Sequence, residues 1–222
     1  RLLEGALRSG QQRFLDRVFC EQEKEMITAS TTPDLMVWLF WATKEATFKV
    51  LSKISESPVF AHKKFETKLI QQNDSEFDLS VIYKGTTVFV EAIVTDEYVH
   101  AVGFQKNISE RAGFEVKIDL HKISQEEKSE WQDKKLWQKH FYETEMESIH
   151  RAESAVIRYY CKQSLEKSLA LNCSDLEIIR PLKENKSLPP YLLVSGQNTE
   201  IDISLSHHGD WLAWCFSYPV KS

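Results

Sequence analysis

Cysteine is scarce and scattered. Cys20, Cys161, Cys173 and Cys215 are the four in 222 residues, and none joins a CxxC or a Cys/His cluster. That spacing points away from a zinc site and from a disulfide framework, and it fits a reduced cytoplasm. Long apolar runs are also lacking, so no membrane span is expected. No signal peptide is expected, since Arg1-Leu2-Leu3-Glu4 leads into charged, amphipathic sequence. Basic excess is missing too: 28 Lys and Arg stand against 33 Asp and Glu, a net charge of −5. With no basic stripe, a nucleic-acid binder is not expected, although a local basic pocket for phosphates stays open. Finally, neither glycine nor proline interrupts Val37 to Leu51.

What is present is the balance of a soluble globular protein, 42% apolar and 27% charged. The length suits one large domain or two small lobes around one core. The uninterrupted stretch reads as a helix, with Thr31, Thr32, Pro33 and Asp34 as breaker and cap residues before it. Val37, Trp38, Leu39, Phe40 and Trp41 make its first half apolar all round, the mark of a buried helix. Glu45 and Lys49 then share one face at i,i+4, continuing Trp38, Trp41 and Ala42. On spacing alone two readings stay open: a solvated ion pair at the outer end of a core helix, or half of a site.

Residues 11–30 read as a helical opening, with Phe14, Leu15, Val18 and Phe19 on one stripe. Glu21, Glu23 and Glu25 follow at alternate positions. After the central helix come strands at Lys68–Ile70, Phe77–Tyr83, Thr87–Val94 and Tyr98–Phe104, an antiparallel meander on a helix. His100 falls on the last of these and reads as structural. Residues 106–150 are dense in charge, with Trp131 and Trp137 interleaved, and read as a connector bearing a polar helix from about Ser124. A second long helix spans Ala152–Leu171. Strands at Asp175–Arg180 and Tyr191–Val194, a loop at Lys183–Pro190, and two strands around a polar elbow at Ser206–Asp210 complete the chain. Each half thus runs helix, then strands, then a polar turn and an apolar strand. The expected architecture is α+β, two pseudo-repeated lobes, each an antiparallel sheet packed with a long helix, over 1–105 and 151–222. Polar elements are expected to meet at the seam.

Two motifs carry a resemblance: Trp41-Ala42-Thr43-Lys44-Glu45-Ala46-Thr47-Phe48-Lys49, and Ser204-Leu205-Ser206-His207-His208-Gly209-Asp210-Trp211. Together they resemble the 4′-phosphopantetheinyl transferase superfamily. Phe19-Cys20-Glu21-Gln22-Glu23 is similar to the Phe-Thr-x-x-Glu segment preceding its Lys-Glu helix. Arg158 sits where surfactin-type members have an arginine that contacts coenzyme A, and Lys183–Pro189 stands in place of a Gly-Lys-Pro loop, with Ser187 and Leu188 before Pro189. The resemblance covers 13–51 and 151–217. In surfactin-type enzymes the Ser-His lobe comes first; here the Lys-Glu lobe does, as in the shorter, trimeric holo-acyl-carrier-protein synthases. The family's Gly-x-Asp metal strand is expected at the extreme N-terminus in this order, and Arg1 begins without it.

The resemblance implies transfer of the phosphopantetheine arm of coenzyme A to a serine of an apo carrier protein, as in fatty acid biosynthesis or another carrier-dependent pathway, with Mg²⁺ as cofactor. Glu45 would be the metal ligand and could take the serine proton, Lys49 would hold a phosphate, and Glu23 would assist at the metal or as base. Lys44, Arg158, Lys183, Lys186, Ser206 and His207 would contact coenzyme A. Taken residue by residue, blander roles stay open: Ser206, His207 and His208 as an ordinary turn, Arg158 paired with Glu153 or Asp175, and Trp211 and Trp214 in the core. Two other functions stay open as well, a non-catalytic relative that binds coenzyme A or a carrier, and an interaction module built on 122–139. Two lobes in one chain suggest a monomer.

Overall fold

The computed structural model describes residues 10–55, 59–184 and 186–220. The chain forms two compact units, Arg1–Arg111 and Ala112–Ser222, each with its own apolar core.

The first unit opens with α1 (Gly10–Val18) and α2 (Glu21–Ala29), so the helical opening is broken once, at Phe19-Cys20. Next comes α3 (Pro33–Ile54). Proline in its first turn, an acid (Asp34) near its N-terminus and Lys53 in its last turn all favour a helix there. Met36, Val37, Leu39, Phe40, Ala46 and Leu51 are buried along it. Thr43 and Thr47 are buried as well, and each hydroxyl donates to the carbonyl one turn back, on Leu39 at 2.7 Å and Thr43 at 2.8 Å.

Four antiparallel strands follow in the order β1 (Glu66–Asn73), β2 (Glu76–Tyr83), β3 (Thr86–Val94) and β4 (Val99–Phe104). Alternation puts Phe77, Leu79, Val81 and Tyr83 of β2 and Val88, Val90, Ala92 and Val94 of β3 into the core. The helix α3 lies closest to β4, and Gly103 permits it. A Cβ at Gly103 would stand 2.9 Å from Val50 Cγ2 and 3.0 Å from the Ala46 carbonyl oxygen.

The second unit begins with β5 (Phe114–Lys122), followed by α4 (Gln125–Glu130), α5 (Lys134–His140), α6 (Glu143–Met146) and α7 (Ala152–Leu169). Then come β6 (Leu176–Ile179), the short hairpin β7 (Leu182–Lys183) and β8 (Lys186–Ser187), β9 (Tyr191–Val194), β10 (Gln197–Asn198), β11 (Asp202–His208) and β12 (Trp211–Pro219). The sheets run β11-β12-β5 and β10-β9-β6. The expected connector over 106–150 is corrected here. Its strand β5 pairs along all of β12, from Trp211 opposite Lys122 to Pro219 opposite Phe114. Trp131 and Trp137 are core residues, both 5% exposed, and the Trp137 indole N–H donates to the Trp131 carbonyl at 2.7 Å. The charge there is the solvent face of short helices whose tryptophans face inward.

Both units share one buried device. Glu23 in α2 and Lys44 in α3 meet at 2.6 Å, and so do Glu145 in α6 and Lys162 in α7. In each case the glutamate also caps its own helix, accepting from Cys20 N or Tyr142 N, and its other oxygen accepts from a strand amide, Thr67 N or Ile178 N. Each ammonium also lies near a ring of the preceding turn, Phe19 at 5.3 Å and Phe141 at 5.1 Å. Among the described residues no helix is long and apolar enough to cross a membrane.

Candidate functional site

On α3 the i,i+4 spacing sets Glu45 one turn from Lys49, with both half-buried. Aromatic rings flank them. Trp41, one turn before Glu45, packs on Phe14 at 5.5 Å and stacks on His62 at 4.9 Å. Phe48 packs on Phe60 at 4.7 Å, and Phe60 meets His62 at 4.2 Å. Loss of hydration raises the Glu45 carboxyl above its usual range, and the nearby Lys49 ammonium opposes the shift. A carboxylate desolvated this way is a stronger base and a natural seat for a cation. His100 of β4 feels the same ammonium; burial first, then Lys49, pushes its imidazole down to about 4. Its Nε2 is buried without a hydrogen-bond partner.

Glu23 and Lys44 are placed otherwise than expected. Both are fully buried. The Lys44 ammonium donates hydrogen bonds to Glu23 Oε2 at 2.6 Å, the Val18 carbonyl at 3.1 Å and the His62 carbonyl at 2.9 Å. Burial pulls this lysine below its ordinary pKa, and Glu23 pulls the other way. A lysine with three internal acceptors and no exposed surface does not reach a coenzyme, and Glu23, tied to Cys20 N and Thr67 N, does not reach a serine hydroxyl. Both expectations are corrected: the pair joins α2, α3 and β1, and it fixes the turn of α3 on which the neighbouring Glu45 faces outward.

Arg158 is corrected on the same ground. It is 2% exposed, and its guanidinium donates to the Ser154 carbonyl and hydroxyl at 2.9 and 2.5 Å and to the Ser148 hydroxyl at 2.9 Å. Burial, reinforced by Arg180, lowers its pKa to about 10. It braces α7 from inside rather than gripping a nucleotide, and its hydrogen bonds run to serines, not to Glu153 or Asp175.

The other expected contacts are accessible. Lys183 and Lys186 face each other across the β7–β8 hairpin, both exposed. Ser206 is half-buried and His207 exposed near the end of β11, opposite Ala213 and Leu212 of β12. Trp214 is core, stacked on Tyr160.

Sequence reasoning missed a cavity of about 450 Å³ in the second unit, lined by Lys128, His150, Arg151 and Glu153 together with Gln125, Ser129 and Gln132. It lies at the N-terminus of α7, whose first N–H groups have no side-chain cap. A helix N-terminus and basic side chains favour an anion there, and the Glu153 carboxylate on the same lining opposes one. The available signal was a His-Arg pair directly before a long helix with no Ser, Thr, Asp or Asn cap.

Among the described residues, no three His, Cys, Asp or Glu side chains group to hold a metal. Glu45 alone supplies one carboxylate. That fits a Mg²⁺ ion that keeps several waters and takes its remaining ligands from a substrate's phosphates.

Compared with known proteins, residues 3–102 match the family model described as the 4′-phosphopantetheinyl transferase superfamily. The match spans α1 through most of β4 and includes Glu45, Lys49 and His100. No curated protein and no solved structure matches.

Proposed function

From the match of residues 3–102 to the 4′-phosphopantetheinyl transferase superfamily model, we propose that the chain moves the phosphopantetheine arm of coenzyme A to a serine of an apo carrier protein, releasing adenosine 3′,5′-bisphosphate. The observation that carries this reading is the outward pair Glu45–Lys49 on α3, inside the matched region and set against an aromatic wall. The enzyme is of the holo-acyl-carrier-protein synthase type in its motif order.

The reaction breaks the bond between the coenzyme's pyrophosphate bridge and the phosphoryl group that stays on pantetheine, and it forms a phosphodiester to the serine. Glu45 would hold Mg²⁺, which would supply charge neutralisation for that displacement. Glu45 also accepts the serine proton, directly or through water, and its desolvation strengthens it in that role. Lys49 draws a phosphate oxygen to the same face. Lys183, Lys186, Ser206 and His207 contact the nucleotide phosphates.

The test is direct. The chain is mixed with coenzyme A, Mg²⁺ and a panel of apo carriers, and each carrier's mass is read. A carrier that gains the phosphopantetheine mass, and loses the gain with Glu45→Gln, supports the reading. No gain on any carrier, with coenzyme A binding intact in calorimetry, would replace it with a coenzyme-binding relative that transfers nothing.

A further inference from the structure

The elbow after β11 is held by a lysine from a different element. Gly209 turns the chain with φ 58°, in the left-handed region, and Asp210 follows. The Asp210 carbonyl accepts from Ile123 N at 2.9 Å, and its carboxylate accepts from Lys128 Nζ at 2.7 Å. Lys128 also lies 3.6 Å from Glu153 at the start of α7, and it lines the cavity there.

A helix as short as α4 needs anchoring to aim that lysine. Ser124 caps it, accepting from Glu127 N at 3.1 Å. Next to Lys128, the Glu127 carboxylate is within hydrogen-bonding distance of His121 Nε2 in β5, at 2.7 Å, and accepts from the Tyr160 hydroxyl of α7 at 3.0 Å. Two consecutive side chains thus tie β5, α7 and the β11–β12 turn to one short helix. The side that carries Lys128 is shared by the cavity and the elbow.

We infer that Lys128 is a positioning residue, which through Asp210 sets the Gly209-Asp210 turn at the end of the strand carrying His207 and so links it to the cavity at α7. This deepens the proposed transferase and rests on that reading for its effect on turnover. Lys128 is 17% exposed and Asp210 is 50% exposed, so the pair is partly screened and its influence is moderate.

The experiment compares the full chain with Lys128→Met, Lys128→Arg, Asp210→Asn and the swap of Lys128→Asp with Asp210→Lys. KM for coenzyme A, kcat, and amide hydrogen exchange at residues 206–211 are measured. Lys128→Met and Asp210→Asn should each raise KM about fivefold with kcat nearly unchanged, and each should speed exchange in the elbow. Lys128→Arg should retain both properties and the swap should recover part of them. Unchanged elbow exchange in Lys128→Met overturns the inference. So does a KM effect that Asp210→Asn fails to reproduce, since Lys128 then touches the coenzyme itself. If the parent chain transfers nothing, the proposed function fails, but the exchange measurement still decides whether Lys128 holds the turn.

Discussion

The Glu23 carboxylate lies 2.6 Å from the Lys44 ammonium, with neither side chain exposed. A buried pair of this kind is costly to break from one side, because the surviving charge is left without a counter-ion or water. Glu23→Ala should therefore destabilise the protein by about 3–5 kcal/mol, as should Lys44→Ala. Replacing both together with Leu and Met should cost far less, since no lone charge remains. Thermal unfolding of the parent and the three variants measures this; a double replacement as damaging as either single one would show that the hydrogen bonds to Cys20 N and Thr67 N, not the charge pair, hold α2 to α3 and β1.

Glu45 has the opposite character. Its carboxyl is raised by loss of hydration, so ionising it works against the fold: its contribution favours the native state at low pH and is lost as pH rises through the shifted pKa. Glu45→Gln should leave the melting temperature unchanged or raise it by up to about 2 °C at pH 7.5, while abolishing transfer. Calorimetry paired with the carrier mass assay reads both. A marked loss of stability in Glu45→Gln would mean the carboxylate is structural.

His100 carries a pH dependence of known sign. Its imidazole is depressed to about 4 from an ordinary 6.5. The unfolded chain therefore takes up a proton at higher pH than the native one, and stability present above about pH 6.5 is lost as pH falls towards 4. The loss should amount to about 3 kcal/mol, and His100→Gln should flatten that part of the curve. Urea unfolding at several pH values between 7 and 4 provides the check, an identical slope in parent and variant being the contrary result.

Gly103 is where α3 rests on β4. A methyl group there would meet Val50 Cγ2 at 2.9 Å and the Ala46 carbonyl at 3.0 Å, and the second of these contacts is backbone. Gly103→Ala should cost about 1–3 kcal/mol and push α3 off the strand. Because Glu45 is next to Ala46, transfer should fall more steeply than stability. A variant that loses stability but keeps full kcat would show that the position of α3 on β4 does not matter to the reaction.

The long elements were legible in the sequence because their periodicity is local. The unbroken run over α3 and the alternation in β2 and β3 need no distant partner to be recognised. The strand β5 was not legible. Its Val116, Ile118 and Leu120 alternate with Glu115, Lys117 and Asp119, and the strand it pairs with, β12, lies at the far end of the chain. The site was legible in part. Glu45 and Lys49 share a face by spacing alone, and the structure leaves them accessible. The roles expected of Glu23, Lys44 and Arg158 come from the family resemblance, which carries no information on burial. What buries them comes from elsewhere in the chain, the Thr67 amide, the His62 carbonyl and the Ser148 hydroxyl, and no local pattern announces those.

The lock repeated in the two units separates two demands that sit side by side in the chain. Lys44 answers inward, to Glu23; Glu45, the very next residue, faces outward with the aromatic wall. In α7 the inward lysine recurs as Lys162, but its neighbour is Gln163, an exposed amide with no charge. The second helix therefore keeps the inward lysine of the dipeptide and lacks the carboxylate proposed to hold a cation. Converting Gln163 to glutamate alters no buried partner of Lys162, so the scaffold tolerates acidic chemistry at a place where this chain does not use it.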